Sequence, residues 1–276
     1  MSALTRLPEA DPLYARPRPQ RPFYATGMLL DAADFSAEQT YHRGRLAQAL
    51  ALLSGGGTLA GLAVSHSAAD LPTDRPEEIH VAAGVAIDRL GRLVEIGRPA
   101  CLRLQRWWDA SLAADGGDSL RRATYANLPR FLSARIQAEA GTGDIPAVPA
   151  RAVVADVFLR FVACETGLTP SFASGPFDAL DAVATARLSD AYELLLVARD
   201  ALDDTYSGLP DPGPDLAAIA DPAARRAALQ DAVLAGWEAS GRCGQEGQLA
   251  PAAEHPRDFD PTAVFLARVL IPATAD

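Results

Sequence analysis

Four histidines and three cysteines are the residues of this 276-residue chain whose types could hold a metal ion or pair as nucleophile and base. A zinc centre needs ligands within about 2.0–2.3 Å of one ion, and proteins commonly supply them from local spacings such as H-E-x-x-H or C-x-x-C. His42, His66, His80 and His255 show no such neighbours, and no two of them lie four residues apart on one helix face. Cys243 and His255 could form a thiol–imidazole pair, but the local signatures of cysteine hydrolases are missing around them. No serine occupies a G-x-S-x-G elbow. All 25 basic residues are arginine, so a Schiff-base lysine, a phosphate-loop lysine and a Ser-Lys dyad are excluded. The expectation is a chain with no catalytic residues, no metal and no cofactor.

Three other groups invite a binding role. Gly55-Gly56-Gly57-Thr58-Leu59-Ala60 fits a loose dinucleotide fingerprint, but its glycines follow a predicted helix and precede a predicted strand. No helix N-terminus is then aimed at a phosphate, and the triplet reads as a helix stop. Asp200, Asp203 and Asp204 form an acidic cluster without calcium-loop spacing, which reads as a solvated loop. Trp107 and Trp108 are a candidate platform for a sugar or peptide, since indole offers a flat face and one donor, although one of two adjacent tryptophans more often packs in a core.

Positioning any of these requires a folded body, and a 49% hydrophobic, 22% charged composition supports one. The net charge of −10 repels phosphate backbones, so nucleic acid is not an expected partner. Widely spaced cysteines in odd number read as free thiols of a reducing compartment, and neither a secretory h-region nor a membrane-length apolar run is present. Synthesis in the cytoplasm is expected.

Five prolines in residues 1–22 predict an extended arm, whose deletion should leave the body folded. Phe23, Tyr24, Gly27, Met28, Leu29 and Leu30 make an apolar anchor able to meet a partner, and Asp31 with Asp34 predicts a helix cap. Phe35, His42, Leu46, Ala49, Leu50 and Leu53 then recur with helical period and are expected to face the core, stopped at Gly55, Gly56 and Gly57. Strands are expected over 58–64, 79–87, 92–96, 101–104, 152–164, 191–198 and 263–271, with a tight turn at Asp88 and Gly91. Helices are expected over 119–140 and 221–237. Residues 23–276 therefore read as one α+β domain: an N-terminal helix, a mostly antiparallel sandwich-like β core, and a helical insertion at about 106–140.

The run FYATGMLLDAADFSAEQTYHRGRLAQALALLSGGGTLAGL (23–62) resembles the opening of baseplate- and tail-associated proteins of phage-tail-like contractile injection systems. The hairpin VAAGVAID…GRLVEI (81–96), the segment VFLRFVACE (157–165), the segment ARLSDAYEL (186–194) and FLARV (265–269) resemble later elements of that family, in the same order. The histidine and aromatic residue that the family carries near the helix stop are lost here, where the run reads Leu50-Ala51-Leu52-Leu53-Ser54-Gly55-Gly56-Gly57. The resemblance implies a non-catalytic structural or adaptor component of a contractile particle. Its partners would be other baseplate, spike or fibre subunits, and a homo-oligomer is compatible with it. The competing expectation is a carbohydrate- or peptide-binding module that uses Trp107 and Trp108.

Overall fold

The computed structural model describes residues 11–15, 20–70, 72, 74–142, 145–170, 183–200, 208–211, 213–241, 249, 251–256 and 259–273. Helix α1 spans Ala32–Ser54 and begins as the sequence predicts. The Asp31 carboxylate accepts from the amides of Ala33 and Asp34, and the Asp34 side chain accepts from the Asp31 amide, which satisfies otherwise orphaned donors. The helix ends where Gly55, at φ +70°, returns its N–H to the Ala51 carbonyl.

The next six strands are β1 (Gly57–Gly61), β2 (Val64–Ser67), β3 (Glu78–Val81), β4 (Gly84–Ile87), β5 (Leu93–Ile96) and β6 (Ala100–Arg103). They form two three-stranded antiparallel sheets, β1-β4-β5 and β2-β3-β6. The chain crosses between the sheets three times, after β1, β3 and β5, and the first two crossings divide the single strands expected over 58–64 and 79–87 between different sheets. The physical reason is a backbone contact at the crossing. A side chain on Gly61 would sit 2.1 Å from the Ala83 carbonyl oxygen, one on Gly84 would sit 2.3 Å from that of Ala60, and Leu62 turns at φ +58°.

After α2 (Leu104–Asp115), α3 (Asp118–Arg122), β7 (Thr124–Tyr125) and α4 (Ala134–Glu139) come two long strands, β8 (Ala152–Pro170) and β9 (Val183–Ala198). Helix α5 (Pro222–Gly241) and β10 (Val264–Pro272) complete the fold. β8 is central, with β10 on one side and β7 and β9 on the other. The helix expected over 119–140 is not continuous. It ends at Arg122, β7 follows and pairs with β8, and Pro129 opens a 3-10 turn to Phe131 before α4. The expected insertion is thus sewn into the main sheet, with Leu128 and Phe131 buried against Ala152 and Val154.

The principal core lies between the small sheets and β8-β9-β10, built from Ile79, Val81, Val94, Ile96, Val157 and Leu159 with their neighbours. The protein is α+β, with an N-terminal helix followed by antiparallel sheets. α1 does not bury the stripe expected of it: Ala47 is its one buried residue among hydrophobic positions, while Phe35, Leu46 and Leu53 are exposed and Leu50 is half-buried. The reason is the β4–β5 turn. Gly91, at φ +87°, lies so close to α1 that a Cβ would fall 1.9 Å from the Ala47 carbonyl oxygen. A helix pressed that closely onto a backbone must turn its small residues inward.

Gly91→Ala should therefore destabilise the fold by about 2 to 4 kcal/mol, from a left-handed backbone and an overpacked contact acting together. Gly97→Ala, whose Cβ would meet nothing within 4 Å, should change stability by less than about 0.5 kcal/mol. Denaturant melts of the two variants check the contrast.

Candidate functional site

The β4–β5 turn is organised by Asp88, whose Oδ1 accepts from the amides of Leu90 and Arg92 and whose Oδ2 accepts from Arg92 Nε at 2.6 Å. Three donors converge on one carboxylate, the pattern of an ionised acceptor. Burial pushes the Asp88 carboxyl up, against the downward pull of Arg92. Burial also opposes the charge on Arg92, but Asp88 outweighs it and Arg92 is raised.

Arg92 reaches further. Its Nη1 donates to Asp11 at 3.1 Å, its Nη2 donates to Thr262 at 3.1 Å, and its guanidinium lies 4.5 Å from the Phe161 ring centroid and 5.3 Å from that of Tyr14. Asp11 also takes Arg43 of α1 at 2.9 Å. Burial raises the Asp11 carboxyl, yet the Leu13 amide and the charges of Arg43 and Arg92 carry it below its ordinary value. The Tyr14 hydroxyl meets Asp260 and Thr262, and burial lifts its pKa.

Of the extended arm expected over residues 1–22, residues 1–10 and 16–19 lie outside the described residues, and residues 11–15 are tied to the body by these contacts. Pro12–Ala15 form a 3-10 turn, and Leu13 is buried. Proline density argues against a ladder of backbone hydrogen bonds, but it leaves ion pairs and a single turn available. Leu13, Arg43, Leu46, Arg92, Phe161 and Asp190 line an open cleft here. Each nitrogen of Arg92 already has an acceptor, so the group acts as a tie between chain segments.

A second buried cluster lies across the main sheet. Asp156 on β8 accepts from Arg268 in a forked pair at 2.7 and 2.9 Å and faces Arg199 at 3.4 Å. Burial raises the Asp156 carboxyl. His255 adjoins this region, stacked on Phe158 and fully buried. Its Nδ1 accepts from the Ala252 amide, so its Nε2 carries the hydrogen and donates to the Ala263 carbonyl at 2.8 Å. Burial, partly offset by that carbonyl and by Glu254, lowers the His255 pKa below 6.5.

The anchor residues are not covered by the body. Phe23 is 83% and Leu29 94% exposed, Met28 and Leu30 are also exposed, and Gly27 turns at φ +86° with open space around it. Tyr24 alone bonds to α1, through its hydroxyl to Glu38 at 2.6 Å. Gly55, Gly56 and Gly57 stop α1 as expected, and Asp88 and Gly91 make the turn.

Trp107 and Trp108 do not form a platform. The Trp107 indole donates to the Leu196 carbonyl at 2.7 Å and packs on the main core, while Trp108 packs with Leu120, Ala123 and Val153. His42, expected in the core, is exposed on α1; the buried histidine is His255. Cys243, Asp203 and Asp204 lie outside the described residues, and Asp200 accepts from Arg122 at 2.6 Å. Among the described residues no group of three or more His, Cys, Asp or Glu side chains could hold a metal ion. No helix among them is long and apolar enough to cross a membrane. Sequence reading missed the roles of Asp11, Tyr14 and Thr262, because nothing local links residues 11–14 to residue 262. No family model matches the chain, and no curated protein matches it.

Arg92→Ala should destabilise by about 3 to 5 kcal/mol, because it strands the buried Asp88 carboxylate; urea melts measure it. For His255, a folded pKa below the unfolded one means that the unfolded chain binds the proton first as pH falls. Stability should thus hold above about pH 6.5 and decline below it. His255→Phe should be less stable at neutral pH yet lose less on acidification to about pH 5.5, as melts at both pH values will show.

Proposed function

We propose that this protein is a non-catalytic structural adaptor of a contractile phage-tail-like particle, acting in the baseplate or fibre-attachment region. The observation that carries the reading is the exposure of large apolar side chains, Phe23, Met28, Leu29 and Leu30 before α1 and Phe35 and Leu53 on it. Large side chains are left in water although the same chain builds a closed core elsewhere, and such patches serve association. The order of motifs resembling tail-associated proteins supports the same class. β8 and β9 add a two-stranded ribbon that runs past the last β10 partner at Leu159, with Leu168 and Leu188 exposed. Such a ribbon can lie along a neighbouring subunit. Against a sugar- or peptide-binding role through Trp107 and Trp108, the Trp107 indole donates to the Leu196 carbonyl and both rings pack partly against the core clusters.

The test separates docking from folding. Phe23→Asp with Leu29→Asp should keep the melting temperature of the isolated chain, because both residues are exposed, and should abolish co-purification with assembled particles. Deletion of residues 1–22 should lower the melting temperature, because it removes Asp11, Leu13 and Tyr14 from the body. Normal incorporation of the double aspartate variant would sink the adaptor reading at this surface.

A further inference from the structure

His255 holds the connection that leads into β10 by two backbone bonds at once. Its Nδ1 accepts from the Ala252 amide at 3.1 Å, and its Nε2 donates to the Ala263 carbonyl at 2.8 Å. The ring is buried and stacked on Phe158, and Phe259 lies 4.8 Å from the same phenyl ring. Only a neutral imidazole can make both bonds. A proton on Nδ1 would set an N–H against the Ala252 N–H, two donors with no acceptor between them. A carboxylate for that proton stands close by, with Glu254 Oε1 at 3.9 Å from Nδ1.

We propose that His255 is an acid-sensitive latch: once protonated, its Nδ1 leaves the Ala252 amide for Glu254, and the connection at residues 251–256 and 259–263 opens while the main sheet stays closed. What the latch governs follows from what the connection carries. Thr262, next to Ala263, accepts from Arg92 Nη2 at 3.1 Å, and Asp260 and Thr262 each meet the Tyr14 hydroxyl at 3.3 Å. Arg89 of the β4–β5 turn donates to the Pro261 carbonyl at 3.1 Å. Opening the connection therefore withdraws Asp260 and Thr262 from Tyr14 and Thr262 from Arg92. The seat of residues 11–15 loosens with it.

The charges around the ring set the direction. Burial opposes a proton on His255 most strongly and Arg89 opposes it too, while Glu254 and Asp260 on the connection favour it; the net effect is that the closed form takes the proton only below about pH 6.5. β8 presents the Phe158 ring, and its Asp156 is already bound to Arg268 and Arg199. A closed form that binds the proton less readily than the open one loses ground as the medium turns acid. The other three histidines respond in the opposite sense. His42, His66 and His80 reach water and lie beside Glu38, Glu77 and Glu78 at 3.9, 2.8 and 3.4 Å, so a proton on each adds an ion pair.

The test is hydrogen–deuterium exchange of the full chain, read by peptide and corrected for the pH dependence of intrinsic exchange. Between about pH 7.5 and about pH 5, opening at residues 251–256, 259–263 and 11–15 should rise by up to about thirty-fold, the limit set by an ordinary imidazole in the open form. Residues 152–164 should keep their protection. His255→Gln, which retains a neutral acceptor and donor, should abolish the acid response, and Glu254→Gln should move its midpoint to lower pH. Equal protection at both pH values overturns the proposal, as does a loss shared by residues 152–164, or opening of the connection that leaves residues 11–15 unchanged. A response that survives in His255→Gln, or a midpoint unmoved in Glu254→Gln, overturns it as well. Should His255→Gln fail to fold, the wild-type pattern and the Glu254→Gln midpoint decide alone. The adaptor reading stands or falls separately, at Phe23 and Leu29.

Discussion

A guanidinium enclosed by Tyr14, Phe161 and the β4–β5 turn must find its countercharges where it stands, because water is not there to solvate it. Arg92 takes Asp88 from its own hairpin, Asp11 from the N-terminal segment and Thr262 from the approach to β10. Three stretches far apart in sequence are thereby fixed to one side chain. Asp11 passes the constraint on to α1 through Arg43. The seat of α1 depends on that ionic chain together with the Gly91–Ala47 contact.

The second cluster plays the corresponding part across the main sheet. Asp156 is fully buried in the middle of β8, where an unpaired carboxylate would be intolerable. Arg268 from β10 and Arg199 from the end of β9 meet it, so the strands on both sides of β8 are pinned in register by charge as well as by backbone hydrogen bonds. Arg199 then bonds the Glu254 carbonyl, and neighbouring His255 joins the Ala252 amide to the Ala263 carbonyl. A connection containing few apolar residues is held by directed bonds.

Local physics made part of this legible. The Asp31–Asp34 box, the glycine stop at Gly55, the Asp88–Gly91 turn and the long strands around residues 152–164 and 191–198 are each set by residues close in sequence, and each stands where the pattern put it. What failed was decided at a distance. The division of residues 58–64 and 79–87 between two sheets depends on Gly61 and Gly84 meeting across the crossing, which no periodicity reports. The inward face of α1 was assigned to its largest apolar residues because burial normally follows size; the Gly91 contact reverses that order. The indole donor of Trp107 found a carbonyl 89 residues away, at Leu196. For the candidate surface, the anchor's composition was readable, but its exposure was not.

Buried ion pairs are a costly way to hold a protein together, since the desolvation of both partners offsets most of their attraction, and well-packed apolar residues can do as well. Their advantage lies in direction. An apolar contact between residues 11–14 and the body would tolerate sliding, whereas Asp11 satisfies Arg43 and Arg92 together from one position only. That fixes the seat of α1, which carries Arg43. The same reasoning explains why large side chains remain in water on α1: the helix is held from its inner side by small residues and charges, and the close approach of Gly91 at Ala47 leaves no room there for larger ones.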